Sequence, residues 1–345
     1  MRFYYYPAVE HGYLSGFNGA MAEHGFIFEK GPNLTPGMIR RHKKEFDGVH
    51  FHWIEHVLSH RSRIYRALSL VNLWRSLPLL KSLDKKVIWT VHNHAPHEPD
   101  WAFEIGRDMV VKAAELVITY SPWSTNLVRE ELDVPCPIVE VWHGNFKGTH
   151  GPERTAAQAR EYFGVDPDKF VVGILGNVRA YRGHDIAIEA MKHVPDDVQL
   201  LIAGGSEFPD QVEEVHQLAK NVPSVKFDFR EPLSDIEYAE AILACDAVLL
   251  PYRDITSSGA LLSAWTVGRP VITTRLSYFE EYLQYTTPAS LILVDPRTPE
   301  GFAAAICEMR EYPEERREQE SLELSDRFKW SKCVEDAAQA MNAWR

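Results

Sequence analysis

Cysteine is scarce and scattered. Its four residues, Cys136, Cys245, Cys307 and Cys333, lie far apart and form no Cys-x-x-Cys pair. That spacing excludes a disulfide framework and a cysteine-built zinc site, and it reads as reduced, buried thiols of a cytoplasmic protein. No apolar run approaches the roughly 20 residues of a membrane-spanning helix. The opening Met1-Arg2-Phe3-Tyr4-Tyr5-Tyr6-Pro7 lacks the apolar core of a secretory signal. Positive charge is in deficit, with 37 Lys and Arg against 49 Asp and Glu and a net charge of −12. Such a field repels nucleic acid, so no nucleic-acid partner is expected. An Asp-x-Asp metal motif is missing too, since Asp166-Pro167-Asp168 reads as a turn ahead of a strand. There is no internal repeat and no low-complexity tract. The expectation is a soluble cytoplasmic chain, or one held peripherally at the inner face of a membrane.

What is present is ordinary globular material: 345 residues, 45% hydrophobic and 25% charged, enough for two domains. Short apolar runs alternate with helix-like segments. Val87 to Val91, Leu116 to Tyr120 and Ile138 to Trp142 read as buried strands of the first half, with a further short strand closing at His50-Phe51. Val171 to Leu175, Gln199 to Ala203, Val225 to Asp228, Ala247 to Leu250 and Pro270 to Thr273 read as those of the second. Apolar runs of this kind belong to parallel sheets covered on both faces, which predicts two doubly wound α/β domains. The Gly-rich, polar stretch 147–153 marks the break, followed by a helix from Thr155 to Phe163. Phe328 to Trp344 is predicted helical, with Ser331 as its N-cap.

One segment inverts the charge of the chain. Between His56 and Lys86 stand Arg61, Arg63, Arg66, Arg75, Lys81, Lys85 and Lys86 against a single acid, Asp84, with leucines, Ile64, Val71 and Trp74 interleaved. Two readings fit. One is a basic amphipathic surface touching anionic lipid or a phosphate-bearing acceptor. The other is a solvated helix face with arginines lying over core leucines.

Two loops carry chemistry suited to phosphate. Gly176-Asn177-Val178-Arg179-Ala180-Tyr181-Arg182-Gly183 follows the strand ending at Leu175. A glycine there lets backbone amides approach a ligand, the helix starting near His184 points its N-terminus at the same place, and Arg179 and Arg182 add two cations. Pro251-Tyr252-Arg253-Asp254-Ile255-Thr256-Ser257-Ser258-Gly259-Ala260 follows the strand ending at Leu250, with hydroxyls and a glycine before a helix from Ala260 to Val267. The alternatives are a plain β–α turn with surface arginines and a Ser/Thr-capped core helix. Loops from neighbouring strands of one sheet meet at its C-terminal edge, which favours a shared diphosphate site.

Arg179-Ala180-Tyr181-Arg182-Gly183, Pro251-Tyr252-Arg253, Ser258-Gly259-Ala260-Leu261 and Gly268-Arg269-Pro270-Val271-Ile272 occur in the order and at the separations of one family. On these motifs the chain resembles glycosyltransferase family 4, the glycosyl transferases group 1, of GT-B fold. The resemblance is firm over about residues 170–275. It implies two Rossmann-like domains facing across a cleft, residues 1–150 with 328–345 binding the acceptor and residues 151–327 binding the nucleotide-sugar donor, with the C-terminal helix crossing back to the first domain. It gives Arg179 and Arg182 the donor diphosphate. Gly176 and Asn177 line the donor site, and Thr256, Ser257, Ser258, Gly259 and Ala260 hold the distal phosphate and sugar. The nucleotide base falls near Arg230 and Leu233. The sequence departs from the family at two positions that commonly carry glutamates eight residues apart, here Ile255 and Ser263. Asp254 takes over part of the first role in this reading, and Ser263 still offers a hydroxyl to the ribose.

The first half is rich in histidine. His50, His52 and Glu55 surround one strand end, and His92-Asn93-His94-Ala95-Pro96-His97-Glu98 follows another. A His-x-His pair projects two imidazoles to one side of an extended chain, which raises a metal site, but the carboxylates and further histidines that such a site needs are few. Sugar binding by neutral imidazoles is the more economical reading. The resemblance places His92 beside the transferred sugar; the neighbouring His52, Asn93, His97, Glu98 and His143 are read from their positions at strand ends as sugar or acceptor contacts.

The resemblance thus implies a retaining hexosyltransferase that needs no cofactor and no metal. Its partners would be a nucleotide-sugar and a glycan, glycolipid or small-molecule acceptor in polysaccharide assembly; in the first of the two readings of the basic segment, residues 56–86 also touch an anionic membrane. Two other classes stay open: a nucleotide-sugar epimerase or hydrolase with His92 and Glu98 as acid and base, and a non-catalytic binding homologue without the two acids.

Overall fold

The computed structural model describes residues 1–9, 11–58, 62–93, 101–148, 151–206, 209–229 and 233–345. The chain forms two compact units, Met1–Gly144 with Trp330–Arg345, and Asn145–Lys329.

The first unit runs β1 (Arg2–Tyr6), α1 (Gly12–Glu23), β2 (Ile27–Lys30), α2 (Pro36–His42), β3 (Gly48–Phe51), α3 (Ile54–Leu58), α4 (Arg63–Ser82), β4 (Lys86–Thr90), α5 (Trp101–Ala113), β5 (Leu116–Thr119), α6 (Pro122–Glu131) and β6 (Ile138–Glu140). Its six strands form one parallel sheet in the order β2-β1-β3-β4-β5-β6. The runs read as strands are β3, β4, β5 and β6. The flanking β2 is not legible as a strand because it buries only Phe28 and carries two charges, as edge strands do. On one face the sheet packs Val49, Phe51, Val87, Trp89 and Val117 against Leu70, Leu73, Leu77 and Leu80 of α4 and Phe103 and Val110 of α5.

The second unit runs α7 (Ala156–Phe163), β7 (Phe170–Leu175), α8 (His184–Ala190), β8 (Val198–Ala203), α9 (Pro209–Ala219), β9 (Val225–Asp228), α10 (Asp235–Leu243), β10 (Ala247–Leu250), α11 (Gly259–Thr266), β11 (Val271–Thr274), α12 (Ser277–Glu280), β12 (Leu291–Val294), α13 (Pro299–Glu311) and α14 (Glu314–Arg327). Its sheet is also parallel, in the order β12-β11-β10-β7-β8-β9. The helix expected from Thr155 is α7, and Thr155 caps it in a reciprocal box with Gln158. A predicted cap fails at the C-terminus. There α15 (Trp330–Cys333) and α16 (Glu335–Asn342) follow one another, and Ser331 sits inside α15 instead of ahead of it. Both short helices belong to the first unit: α15 packs on α1 and α16 on β6.

The described residues include no helix long and apolar enough to cross a membrane. All four cysteines are free.

Candidate functional site

In a doubly wound sheet the crevice opens where the strand order reverses, outside the C-terminal ends of the strands. In the second unit that point lies between β7 and β10. These are the strands that feed the two loops picked out by sequence, and the structure joins the loops directly. The Arg253 backbone N–H donates to the Tyr181 carbonyl at 2.8 Å, its Nε donates to the Ala180 carbonyl at 3.0 Å, and its Nη2 pairs with Asp185 at 2.6 Å. Arg253 therefore stitches one loop to the other.

Arg182 is the charged centre of this arrangement. It closes a short 3-10 turn, Ala180–Arg182, and its Nη1 donates to the Leu175 carbonyl at the end of β7. Its Nε is buried without a hydrogen-bond partner, and no described carboxylate pairs with it. Gly176, at φ +97°, lies under the guanidinium, where a Cβ would sit 3.1 Å from Nη1. Burial opposes the charge, while Tyr252, Tyr181 and Tyr238 favour it, and on balance its pKa is raised. The next side chain, His184, is buried with its Nε2 unpartnered. Burial, with Arg182 adding to it, pulls its pKa down to about 3, so it is neutral. A half-buried cation ringed by phenols and a neutral imidazole, with donor capacity to spare, is chemically suited to an anion. Arg179 is half-buried at the start of the same turn, and Asn177 is exposed.

The second loop ends in a capped helix. Ser258 accepts from the Leu261 N–H, leaving the amides of Gly259 and Ala260 without an intrahelical acceptor. Thr256 and Ser258 are buried, and Ser257 and Ser263 are half-buried. The departure from the family pattern has a structural form here. Ile255 turns inward and is only 8% exposed, while Asp254 points to solvent.

The first unit gathers its histidines at the C-terminal edge of its sheet. His50 Nε2 lies 2.7 Å from Thr90 Oγ1. His52 Nδ1 lies 3.2 Å from His92 Nε2, and His92 Nδ1 lies 2.9 Å from the Tyr120 hydroxyl. His92 also stacks on Trp53, with ring centroids 4.1 Å apart, and meets the edge of Tyr13 at 4.9 Å. Both ring nitrogens of His92 are thus engaged within this unit. His143 donates from Nδ1 to the Gly144 carbonyl at 2.7 Å and packs on Tyr13 and Trp330. Burial lowers the pKa of His50 to about 3, of His143 to about 4, and of His52 well below its usual value. These three imidazoles are neutral hydrogen-bonding groups. Asn93 donates to Glu55 at 2.8 Å. His97, Glu98 and Arg230 lie outside the described residues, as do His94 and part of the basic segment. Among the described residues no group of three or more His, Cys, Asp or Glu is arranged to hold a metal ion.

Several contributors have no local signature. Tyr238 reaches Arg182 from α10, and Tyr13, Trp53, Tyr120 and Trp330 wall the histidine cluster from four separate elements. A third turn, Gly204-Gly205-Ser206 after β8, bonds to the first loop: Val178 N–H donates to the Gly205 carbonyl at 2.8 Å. Its paired glycines after an apolar run were the available signal.

Residues 169–311 match the family described as Glycosyl transferases group 1. A GDP-mannose:glycolipid 4-beta-D-mannosyltransferase of Xanthomonas campestris pv. campestris is 25% identical over 238 residues, which cover 66% of this chain and 61% of the relative. The match thus spans less than two thirds of that relative's length. Among solved structures, HepE of Anabaena in complex with UDP and glucose has a TM-score of 0.76 at 16% identity, covering 99% of this chain and 100% of that one. Sucrose-phosphate synthase from Thermosynechococcus elongatus has a TM-score of 0.73 at 16% identity, covering 100% and 99%. At that identity the likeness is one of fold, and the shared fold is GT-B.

Proposed function

We propose, from the premise that residues 169–311 belong to the glycosyl transferases group 1 family, that this protein is a glycosyltransferase taking its sugar from a nucleoside-diphosphate-sugar. The observation that carries the reading is Arg182: a half-buried guanidinium whose Nε is buried without a partner, with no carboxylate partner among the described residues and the amides of a capped helix on the adjoining loop. A diphosphate supplies the missing counter-charge. As the bond to the sugar breaks, negative charge grows on the leaving phosphate, and a preorganised cation with fixed amide dipoles stabilises it without a metal ion. Arg179 adds a second cation. Gly176, Asn177, Thr256, Ser257, Ser258, Gly259, Ala260 and Ser263 are the donor contacts of this reading, with Asp254 reaching the sugar from solvent.

His92 takes the sugar side. A sugar hydroxyl would replace its longer internal contact, the 3.2 Å approach to His52, while Tyr120 keeps the ring oriented. His52, His143 and Asn93 would supply further neutral donors and acceptors. The relative named for GDP-mannose and a glycolipid supports a lipid-linked acceptor. The HepE complex, with UDP and glucose, supports a hexose donor.

Retention of anomeric configuration is the outcome implied by the group 1 resemblance. Inversion is favoured by one observation, the β linkage in the name of the mannosyltransferase relative. From an α-linked donor, the anomer of the product read by NMR separates the two.

The first test is calorimetric titration with UDP, GDP, ADP and dTDP, with and without magnesium. One of them should bind, and Arg182→Ala should weaken it by about 2 kcal/mol, roughly thirtyfold. Unchanged affinity in the variant removes the phosphate assignment. Binding of none of the four points to a non-catalytic homologue, and donor breakdown without any acceptor points to an epimerase or hydrolase.

A further inference from the structure

The helix α4 is apolar on two opposite sides. One side carries Leu70, Leu73, Leu77 and Leu80 into the core of the first unit. At 100° per residue, Ile64, Leu68 and Val71 fall on the other side and Trp74 on its flank, one turn from Leu70, and all four are exposed: 72%, 52%, 48% and 61% of their surfaces face solvent. Tyr65 is exposed as well, at 57%. Exposed large apolar side chains elsewhere in the described residues are few and scattered, apart from Trp101 and Ile105 on α5, the helix packed against α4. Folding alone gives no reason to leave such a stripe in water. A patch of this kind marks a surface that meets something else.

The charge on the helix says what it meets. Arg63, Arg66, Arg75 and Lys81 lie on α4, which holds no acid, in a chain of net charge −12. Arg63, Arg75 and Lys81 are exposed beside the apolar stripe, and Arg75 falls within it. A stripe with a tryptophan and a tyrosine, rimmed by cations and free of acids, matches a bilayer interface: apolar side chains enter the acyl boundary, aromatic rings sit at headgroup depth, and arginines meet lipid phosphates.

We infer that the outer face of α4 docks the protein on an anionic phospholipid bilayer, with Ile64, Leu68, Val71 and Trp74 inserted and Arg63, Arg75 and Lys81 on the headgroups. The inference is independent of the transferase reading, because it uses no residue of the nucleotide site.

The test is co-sedimentation of the full chain with vesicles of phosphatidylcholine alone or mixed with phosphatidylglycerol. The wild type should bind the mixed vesicles and leave the neutral ones. Leu68→Gln with Trp74→Gln should lower the partition coefficient by at least about tenfold. Replacing Arg63, Arg75 and Lys81 by Gln should lower it roughly fivefold per charge and remove its salt dependence. All these side chains are exposed, and unchanged melting and unchanged nucleoside-diphosphate binding show that the variants fold. No binding of the wild type to mixed vesicles overturns the inference, and so does equal binding by the Leu68/Trp74 variant. A concentration-dependent dimer of the wild type, lost in that variant and without vesicle binding, would give the face to a second copy instead. Loss of nucleotide binding with vesicle binding intact would strike the transferase reading alone.

Discussion

A Cβ on Gly183 would lie 2.1 Å from the carbonyl oxygen of Pro251. The two residues come from different loops, so the contact measures how closely the turn carrying Arg182 is pressed onto the loop that feeds α11. Gly183 also has φ +74°, where an L side chain is strained. Gly183→Ala should cost about 2–4 kcal/mol in urea denaturation and weaken nucleotide binding. Gly151→Ala, at an open position, is the control and should stay within about 0.5 kcal/mol. Equal stability of the two variants would mean that the loops are not pressed together.

Ile255 stands where the resembled family commonly carries a glutamate, yet its side chain is buried. Ile255→Glu should therefore lower stability by about 2 kcal/mol or more and should not raise turnover, because the new carboxylate replaces a packed side chain in the interior. Asp254→Ala, at the exposed neighbour, should leave stability unchanged and slow transfer if Asp254 reaches the sugar. A stable, more active Ile255→Glu enzyme would show that the loop turns over when the donor binds.

The buried histidines couple stability to acid. His50, His143 and His184 have pKa values pulled down to about 3, 4 and 3, and His52 shifts the same way. Each takes up its proton more readily in the unfolded chain, near pH 6.5. The unfolded state binds more protons, so stability is full above about pH 6.5 and falls as pH drops toward the folded pKa, by about 1.4 kcal/mol per pH unit for each histidine. Thermal melts between about pH 7 and pH 4 should show this slope, and His143→Gln should make it shallower by one proton. A slope unchanged in that variant would mean that His143 is not buried and neutral.

Tyr120→Phe removes the hydroxyl 2.9 Å from His92 Nδ1 while keeping the ring. Transfer should fall about tenfold or more with nucleotide affinity unchanged, since the proposed phosphate contacts all lie in the second unit. His92→Ala should do the same more severely. Wild-type turnover in both would remove His92 from the reaction.

Much of the second unit was legible in the chain. Apolar runs such as Val171 to Leu175 and Ala247 to Leu250 mark strands buried on both faces, and Thr155 and Ser258 announce the helices they cap, because both signals depend on neighbours within a few residues. The loops Gly176 to Gly183 and Pro251 to Ala260 could be matched for the same reason: each follows a strand, and strand ends in a doubly wound sheet share one edge. The edge strand β2 escaped because it buries only Phe28 and carries two charges. Ser331 misled because a serine before a helical pattern is a weak marker where two short helices run together.

Sequence by itself determined the periods, the caps and the placing of two glycine-containing loops at strand ends, since these follow from covalent neighbours and backbone sterics. Only tertiary structure decided that Tyr238 from α10 stands beside Arg182, that His92 spends both nitrogens on His52 and Tyr120, that Ile255 faces inward, and that α4 keeps a second apolar side in water. These are pairings and exposures between segments tens of residues apart. They are set by how helices close over a sheet, and local sequence carries no record of that.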